Sequence, residues 1–274
     1  MIRFDTHMHT EYSTDSETKI MAQVEQAERL GLTGICITDH MDYDFPMDAL
    51  EHPVDGIPFY FDIDDYRQEV EKIQKKTNLT LLKGVECGLQ STQSVIEKNQ
   101  KLVSDWEWDY VIGSLHLVNQ KDPYYPSFWE NRAPAQCIEE YFHHIWDNIQ
   151  CFSSFDALGH LDYIVRYAPS SFCYEPNQFR EIIEAILQFL IKKDIALEVN
   201  TSGWKTMGRC QNPHLDILCL YAKLGGELLT IGSDAHTPEY VSYRFSDLPE
   251  LLKKAGFRQF CVFQKRKPVF VDIL

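Results

Sequence analysis

The chain has 274 residues, 44% hydrophobic and 24% charged, which is apolar enough for one large core and excludes an intrinsically disordered chain. Its 41 acidic residues against 26 basic ones leave a formal charge of -15, which disfavours sequence-independent nucleic-acid binding. A chain this acidic that handles phosphate needs bound cations.

Short apolar runs alternate with amphipathic segments, the pattern of a parallel sheet with helical crossovers. A first strand at 2–4 precedes a helix at 19–30, in which Ile20, Val24, Ala27 and Leu30 share a face until Gly31 stops it. A strand at 34–38 follows, then a Pro-containing insertion holding His52, a polar helix at 64–76 and a third strand at 79–85. A short helix at 95–102 leads to strand four at 110–114. A second insertion, rich in Tyr, Pro and Trp, precedes a helix at 135–149 and strand five at 157–159. An apolar helix at 179–191 and strand six at 196–199 come next, then a helix at 215–224 and strand seven at 228–231. A last helix at 248–254 runs into a β-rich tail around 260–263. Seven β/α units suggest a closed or nearly closed barrel. With no repeat or linker to divide it, 1–274 is expected to form a single domain.

The start, MIRFDTHMHTEY, lacks a cationic segment followed by an apolar one, and no later run approaches 20 apolar residues. Neither export nor membrane spanning is expected. The eight cysteines form no CxxC, and Cys36, Cys87 and Cys261 sit in strand-like runs. That usage fits reduced thiols in a cytoplasm.

Function is carried by the residues at and just past the strand ends. Strand one runs into Asp5-Thr6-His7-Met8-His9, where the two-residue period of an extended chain turns Asp5, His7 and His9 to one side. The next strand ends are Thr38-Asp39-His40, Val85-Glu86, Ser114-Leu115-His116, Gly159-His160 and Ser233-Asp234-Ala235-His236. In a β/α barrel the carboxyl ends of the strands share one face, so these side chains converge. One HxH, or one histidine at a strand end, is weak evidence. Ligand-type residues at six strand ends of seven point to a polynuclear metal site, because burying so many without metal would strand polar groups. His143 and His144 in mid-helix, His214 at a helix start and His52 are given no role, and Cys87 faces away from Glu86.

Taken in order, DTHMHT, ITDH, VECG, GSLH, GHLD and GSDAH resemble the motifs of the polymerase and histidinol phosphatase (PHP) superfamily of metal-dependent phosphoesterases, over essentially the whole chain. The resemblance implies an α/β fold, a distorted (β/α)7 TIM-like barrel with three divalent ions, Zn, Fe or Mn, at the carboxyl ends of its strands. Carried over motif by motif, it implies one ion on His7, His9, Glu86 and Asp234, with Glu86 bridging to a second on His116 and His160. Asp15, His40 and His236 would hold the third. Asp15 stands where many members carry a histidine, and a carboxylate there resembles the histidinol phosphatase branch. Asp5 and Asp39 are expected behind the ligands, accepting the imidazoles' other N–H groups.

Clustered ions roughly 3.5 to 4 Å apart can share a water, lower its pKa and clamp both oxygens of an in-line displacement at phosphorus. The expected nucleophile is therefore hydroxide rather than a side chain. Neither a GxSxG elbow, a GxxxxGK loop nor a GxGxxG turn occurs, which leaves serine hydrolase, NTPase and dinucleotide readings without support. Phosphate oxygens also suit guanidinium donors, and the resemblance supports Arg166 and Arg209 as substrate contacts, with Asn200 a further candidate. Phe59, Tyr60, Tyr124, Tyr125 and Trp129 of the two insertions are candidates to roof the site. The activity implied is hydrolysis of a small phosphate monoester, L-histidinol phosphate, in histidine biosynthesis, without nucleic-acid or membrane partners. Another phosphoester (a nucleotide, phosphotyrosine or a nucleic-acid end) and a non-catalytic metal-binding module remain open. The net charge weighs against a nuclease and the full ligand set against a silent module.

Overall fold

The computed structural model describes residues 2–46 and 58–273, so His52 lies outside the described residues. The strands are β1 (Phe4–Asp5), β2 (Gly34–Ile37), β3 (His40–Met41), β4 (Thr80–Gly88), β5 (Tyr110–Ser114), β6 (Ala157–Leu158), β7 (Ala196–Asn200) and β8 (Leu229–Gly232). They pair in parallel in the order β1-β2-β4-β5-β6-β7-β8, with β3 also on β4. Because β2 pairs with Thr80–Lys83 and β3 with Glu86 and Cys87, the two form one interrupted stave, and the sheet has seven. Backbone bonds from Thr6 N–H to the Ile231 carbonyl (3.0 Å) and from Asp234 N–H to the His7 carbonyl (2.8 Å) join the first stave to the last. The expected α/β architecture, a distorted TIM-like barrel, is what forms.

Helices α1 (Ile20–Arg29), α2 (Ile63–Gln74), α3 (Gln93–Asp105), α4 (Pro134–Cys151), α5 (Arg180–Lys192) and α6 (Leu215–Lys223) connect the staves, and α7 (Leu248–Ala255) follows the last. Each matches an amphipathic segment of the sequence to within three residues, the widest gap being at the end of α3. On α1, Ile20, Val24 and Ala27 are buried, but Leu30 is 47% exposed, against expectation. The helix stops at Arg29 and turns through Gly31, at φ +72, which carries Leu30 off the buried face.

Beyond α7, β9 (Gln259–Gln264) and β10 (Lys267–Asp272) form an antiparallel hairpin at the amino-terminal ends of the staves. Phe263 stacks on Tyr110, the first residue of β5, with ring centroids 5.5 Å apart. Tyr110 in turn donates to Thr230 Oγ1 at 2.9 Å, crossing from β5 to β8. The backbone N–H groups of Lys265 and Arg266 donate to Asp109. One end of the barrel is thereby closed, and chemistry is left to the other.

Candidate metal centre

Each barrel strand delivers its polar residues at, or just beyond, its carboxyl end. The extended continuation of β1 brings His7 and His9 into the centre, β3 places His40, and β4 places Glu86 directly opposite it in register. His116, His160, Asp234 and His236 enter from the segments after β5, β6 and β8, and Asp15 from the loop after His9. Glu86 is the hub. Its Oε1 lies 3.0 Å from His160 Nε2 and 3.4 Å from His116 Nε2, and its Oε2 lies 2.9 Å from His40 Nδ1 and 3.4 Å from His7 Nε2. Asp234 Oδ1 is 3.3 Å from His9 Nε2 and 3.4 Å from His236 Nδ1, while Asp15 Oδ2 is 3.1 Å from His236 Nε2 and 3.7 Å from His40 Nε2. The nine residues named from the sequence thus meet at one place.

The protons of several rings are fixed from behind, in a way the sequence did not reveal. His7 Nδ1–H donates to Glu198 Oε1 at 2.6 Å, and His116 Nδ1–H donates to Asp42 at 2.9 Å. Ser13 gives its hydroxyl proton to Asp39 at 2.6 Å and accepts His9 Nδ1–H at 2.9 Å. In their neutral forms these three rings therefore present bare Nε2 lone pairs to the centre. Two such lone pairs, on His7 and His9, face each other only 3.1 Å apart. Glu86 Oε2 and His160 Nδ1 are buried with no hydrogen-bond partner among the described residues. Lone pairs and carboxylate oxygens at this spacing repel one another unless cations lie between them.

The charges of these groups depend on one another. Burial disfavours charge on Glu86, but His7, His116 and His40 outweigh it and hold its carboxyl well below the usual range. Burial opposes charge on Asp234 as well, and the His9 bond with the nearby His7 and His236 overrides it. Burial, then the neighbouring His40 and His236, push His9 well below the ordinary imidazole value. In His7 burial acts the same way, yet Glu198 and Glu86 carry it well above. Neighbouring carboxylates likewise overcome burial at His40, His116 and His236 and raise them, so positive charge gathers on the rings beside the carboxylates, and His, Asp and Glu donors at this density fit divalent ions in that role. Sets of three donor atoms lying within 4.8 Å of one another are formed by His7, His9 and Asp234, by Glu86, His116 and His160, and by His9, His40 and His236. A fourth set, His40, Asp42 and His116, includes a carboxylate that no sequence motif singled out.

Several expectations need correction. Asp5 and Asp39 are fully buried but accept from no imidazole among the described residues. Asp5 takes the backbone N–H groups of Ser233 (2.9 Å) and Ser242 (2.8 Å), whereas Asp39 takes Thr10 N–H and hydroxyl and reaches His9 only through Ser13. Burial raises both carboxyls to about 6. Asp39 precedes His40, so the two-residue period turns it away from the centre. The carboxylates that do hold rings are Glu198 and Asp42. Each had a visible signal: Glu198 is a charge inside the apolar run ALEVN, and Asp42 sits two residues past His40. Asn200 does not face the cavity either, because its side chain donates to Glu198 Oε2 at 3.2 Å and accepts from Ser202.

A cavity of about 470 Å³ opens onto the centre. Arg166 lines it, with Nη1 3.1 Å from Ser202 Oγ and 3.8 Å from Asp234 Oδ2. Lys205, not anticipated, lines it too and donates to the Asp234 carbonyl at 2.9 Å. Arg209 does not. It donates to the Ala168 carbonyl at 2.6 Å and borders a separate cavity of about 460 Å³. Phe59, Tyr124 and Tyr125 wall the main cavity as expected, but Tyr60 is half exposed beside Tyr43, and Trp129 is buried with its indole N–H on the Pro123 carbonyl.

A nearly closed parallel α/β barrel with such a donor cluster at its carboxyl end defines a metallohydrolase type of centre. The chain belongs to the PHP family, whose domain is matched over residues 5–202. It is 34% identical over 266 residues to a probable histidinol-phosphatase of Clostridium acetobutylicum, covering 96% of this chain and 97% of that one. It is 31% identical over 273 residues to a histidinol-phosphatase of Lactococcus lactis, covering 97% and 96%. Among solved structures it resembles, with TM-score 0.84 and 28% identity over 97% of this chain and 98% of that one, the Lactococcus lactis histidinol phosphate phosphatase crystallised with zinc, L-histidinol and phosphate.

Proposed function

We propose that this protein is a histidinol-phosphatase, a metal-dependent phosphomonoesterase that hydrolyses L-histidinol phosphate to L-histidinol and phosphate in histidine biosynthesis. The observation that carries this reading is full-length likeness to an enzyme crystallised with zinc and both of those products, in a chain whose own donors converge at the mouth of a cavity. One catalytic unit spanning 1–274 belongs to the proposal, since β8, with Asp234 and His236 after it, lies beyond the matched 5–202. Action in the cytoplasm is supported by eight cysteines that are all unpaired.

Three divalent ions, Zn, Fe or Mn, belong to the reading, held by His7, His9, Asp15, His40, Glu86, His116, His160, Asp234 and His236. Bound there, they would supply charge neutralisation at phosphorus and an activated water. Glu198, Asp42 and Ser13 hold three of the rings in the tautomer that presents Nε2. Arg166 and Lys205 place two positive charges beside Asp234, where phosphate oxygens need donors. Gly232 keeps room for this arrangement, because a Cβ there would collide with the Cβ of His7 and crowd Glu198 Oε1.

The test is phosphate release from L-histidinol phosphate, phenyl phosphate and a nucleoside monophosphate by metal-replete protein. A kcat/KM preference of about a thousandfold for the first, about 4 kcal/mol of differential transition-state binding, is expected. Comparable slow rates on all three would retain the phosphoesterase and reject the named substrate.

A further inference from the structure

The cavity has two chemically different ends. Beside Asp234 stand the cations Arg166 and Lys205. Arg166 also lies over the Tyr167 ring, 5.5 Å from its centroid, and beyond it the cavity turns aromatic and acidic. From the His160 ring, Tyr163 lies 4.8 Å away between centroids, Tyr167 a further 5.1 Å, and Tyr124 a further 5.4 Å, so a wall of phenol rings leads outward from the centre. At its far end Asp122 lines the same cavity and accepts the Tyr124 backbone N–H on Oδ1 at 2.8 Å.

Among the described residues, no lysine, arginine or histidine forms an ion pair with Asp122, although the chain's other cavity-lining carboxylates, Asp15, Asp42 and Asp234, each have histidine partners. Burial pushes its carboxyl up to about 6, while the Tyr124 N–H and the nearby His116 draw it down. A half-buried carboxylate without a cation, bordered by electron-rich rings, is the chemistry that binds a positively charged organic group. A turn-capping role uses only Oδ1 and leaves Oδ2 available.

We propose that Asp122, with the Tyr124–Tyr167–Tyr163 wall, is the specificity element of this site, selecting phosphate esters whose alcohol carries a cationic amine or imidazolium. The inference rests on the function proposed above and adds the residue that reads the leaving group. Phosphate charge is met at the Arg166 and Lys205 end, and the positive group of the alcohol is met at Asp122. Neutral and anionic alcohols leave that carboxylate unpaired, or repelled, when they fill the cavity.

The experiment compares metal-replete wild type with Asp122→Asn and Asp122→Glu on L-histidinol phosphate and phenyl phosphate, together with inhibition of phenyl phosphate hydrolysis by L-histidinol. In Asp122→Asn the ratio of the two kcat/KM values should fall about 10- to 100-fold, with L-histidinol inhibition weakening about tenfold or more. Asp122→Glu should recover part of both. Turnover of phenyl phosphate reports that the variant is folded and its centre assembled, and if Asp122→Asn fails that control, Asp122→Ser takes its place. An equal fall on both esters, or a ratio that stays at the wild-type value, overturns the role of Asp122. A wild type with no preference for the cationic ester overturns the proposed function, and this inference with it.

Discussion

The two ends of the barrel are made from the same strands and solve opposite problems. At the amino end, polar groups answer one another: Tyr110 donates to Thr230, Asp109 receives the hairpin's backbone, and Phe263 covers the Tyr110 ring. At the carboxyl end His7, His9 and Glu86 are buried as deeply as Tyr110 and Thr230, yet ligand-type groups crowd one another there, with His7 and His9 nitrogens 3.1 Å apart and Glu86 surrounded by rings. Burial alone therefore says little about role. What separates the stabilising end from the reactive one is whether the buried polar groups are satisfied by the chain itself.

The largest expected effect breaks the reactive end alone. His9→Ala or Asp234→Asn should lower kcat by about a thousandfold or more, with metal content reduced and thermal unfolding of the metal-free protein little changed, measured by phosphate release, elemental analysis and calorimetry. Asparagine suits position 234 because Asp234 sits at φ +53, a conformation that Asp and Asn tolerate. Next is Glu198→Gln, which keeps shape but removes the charge behind His7. Metal affinity or activity should fall about 10- to 100-fold, read by a chelator-competition titration.

Arg166→Ala should lower kcat/KM by about 10- to 100-fold while metal content stays at the wild-type level, which separates substrate contact from metal binding. Phe263→Ala inverts the pattern. Denaturant unfolding should show a loss of about 3 to 5 kcal/mol, with kcat per folded molecule retained. The smallest effect is reserved for Arg209→Ala, whose guanidinium is held by the Ala168 carbonyl outside the main cavity. Its kcat/KM should stay within about twofold of wild type, and a loss matching that of Arg166→Ala would return Arg209 to the substrate site.

Much of this is legible in the sequence because it is local. Periods of two and 3.6 locate the staves and helices, and the barrel rule then gathers His7, Glu86, His116 and Asp234 from distant stretches onto one face. What escapes depends on pairing across the chain. The bond from His7 to Glu198 spans 191 positions and that from His116 to Asp42 spans 74, so no local pattern joins them. Asp5 and Asp39 depart from expectation because nearness to a histidine in sequence is not contact with its ring, and backbone N–H groups and hydroxyls claim both carboxylates. Arg209 departs for a related reason: being on the correct side of a strand does not fix the path of the loop that carries the side chain. Lys205 leaves no mark at all, since a lysine in a loop gives no hint that it is folded back onto the Asp234 carbonyl.

Metal stoichiometry coupled to turnover is the most direct test of a trinuclear hydrolytic centre. Protein stripped with a chelator and titrated with Zn or Mn should bind three ions per chain, and phosphate release from L-histidinol phosphate should rise with occupancy from an inactive metal-free state. Full activity in the stripped protein, or saturation of both signals at a single ion, would contradict it.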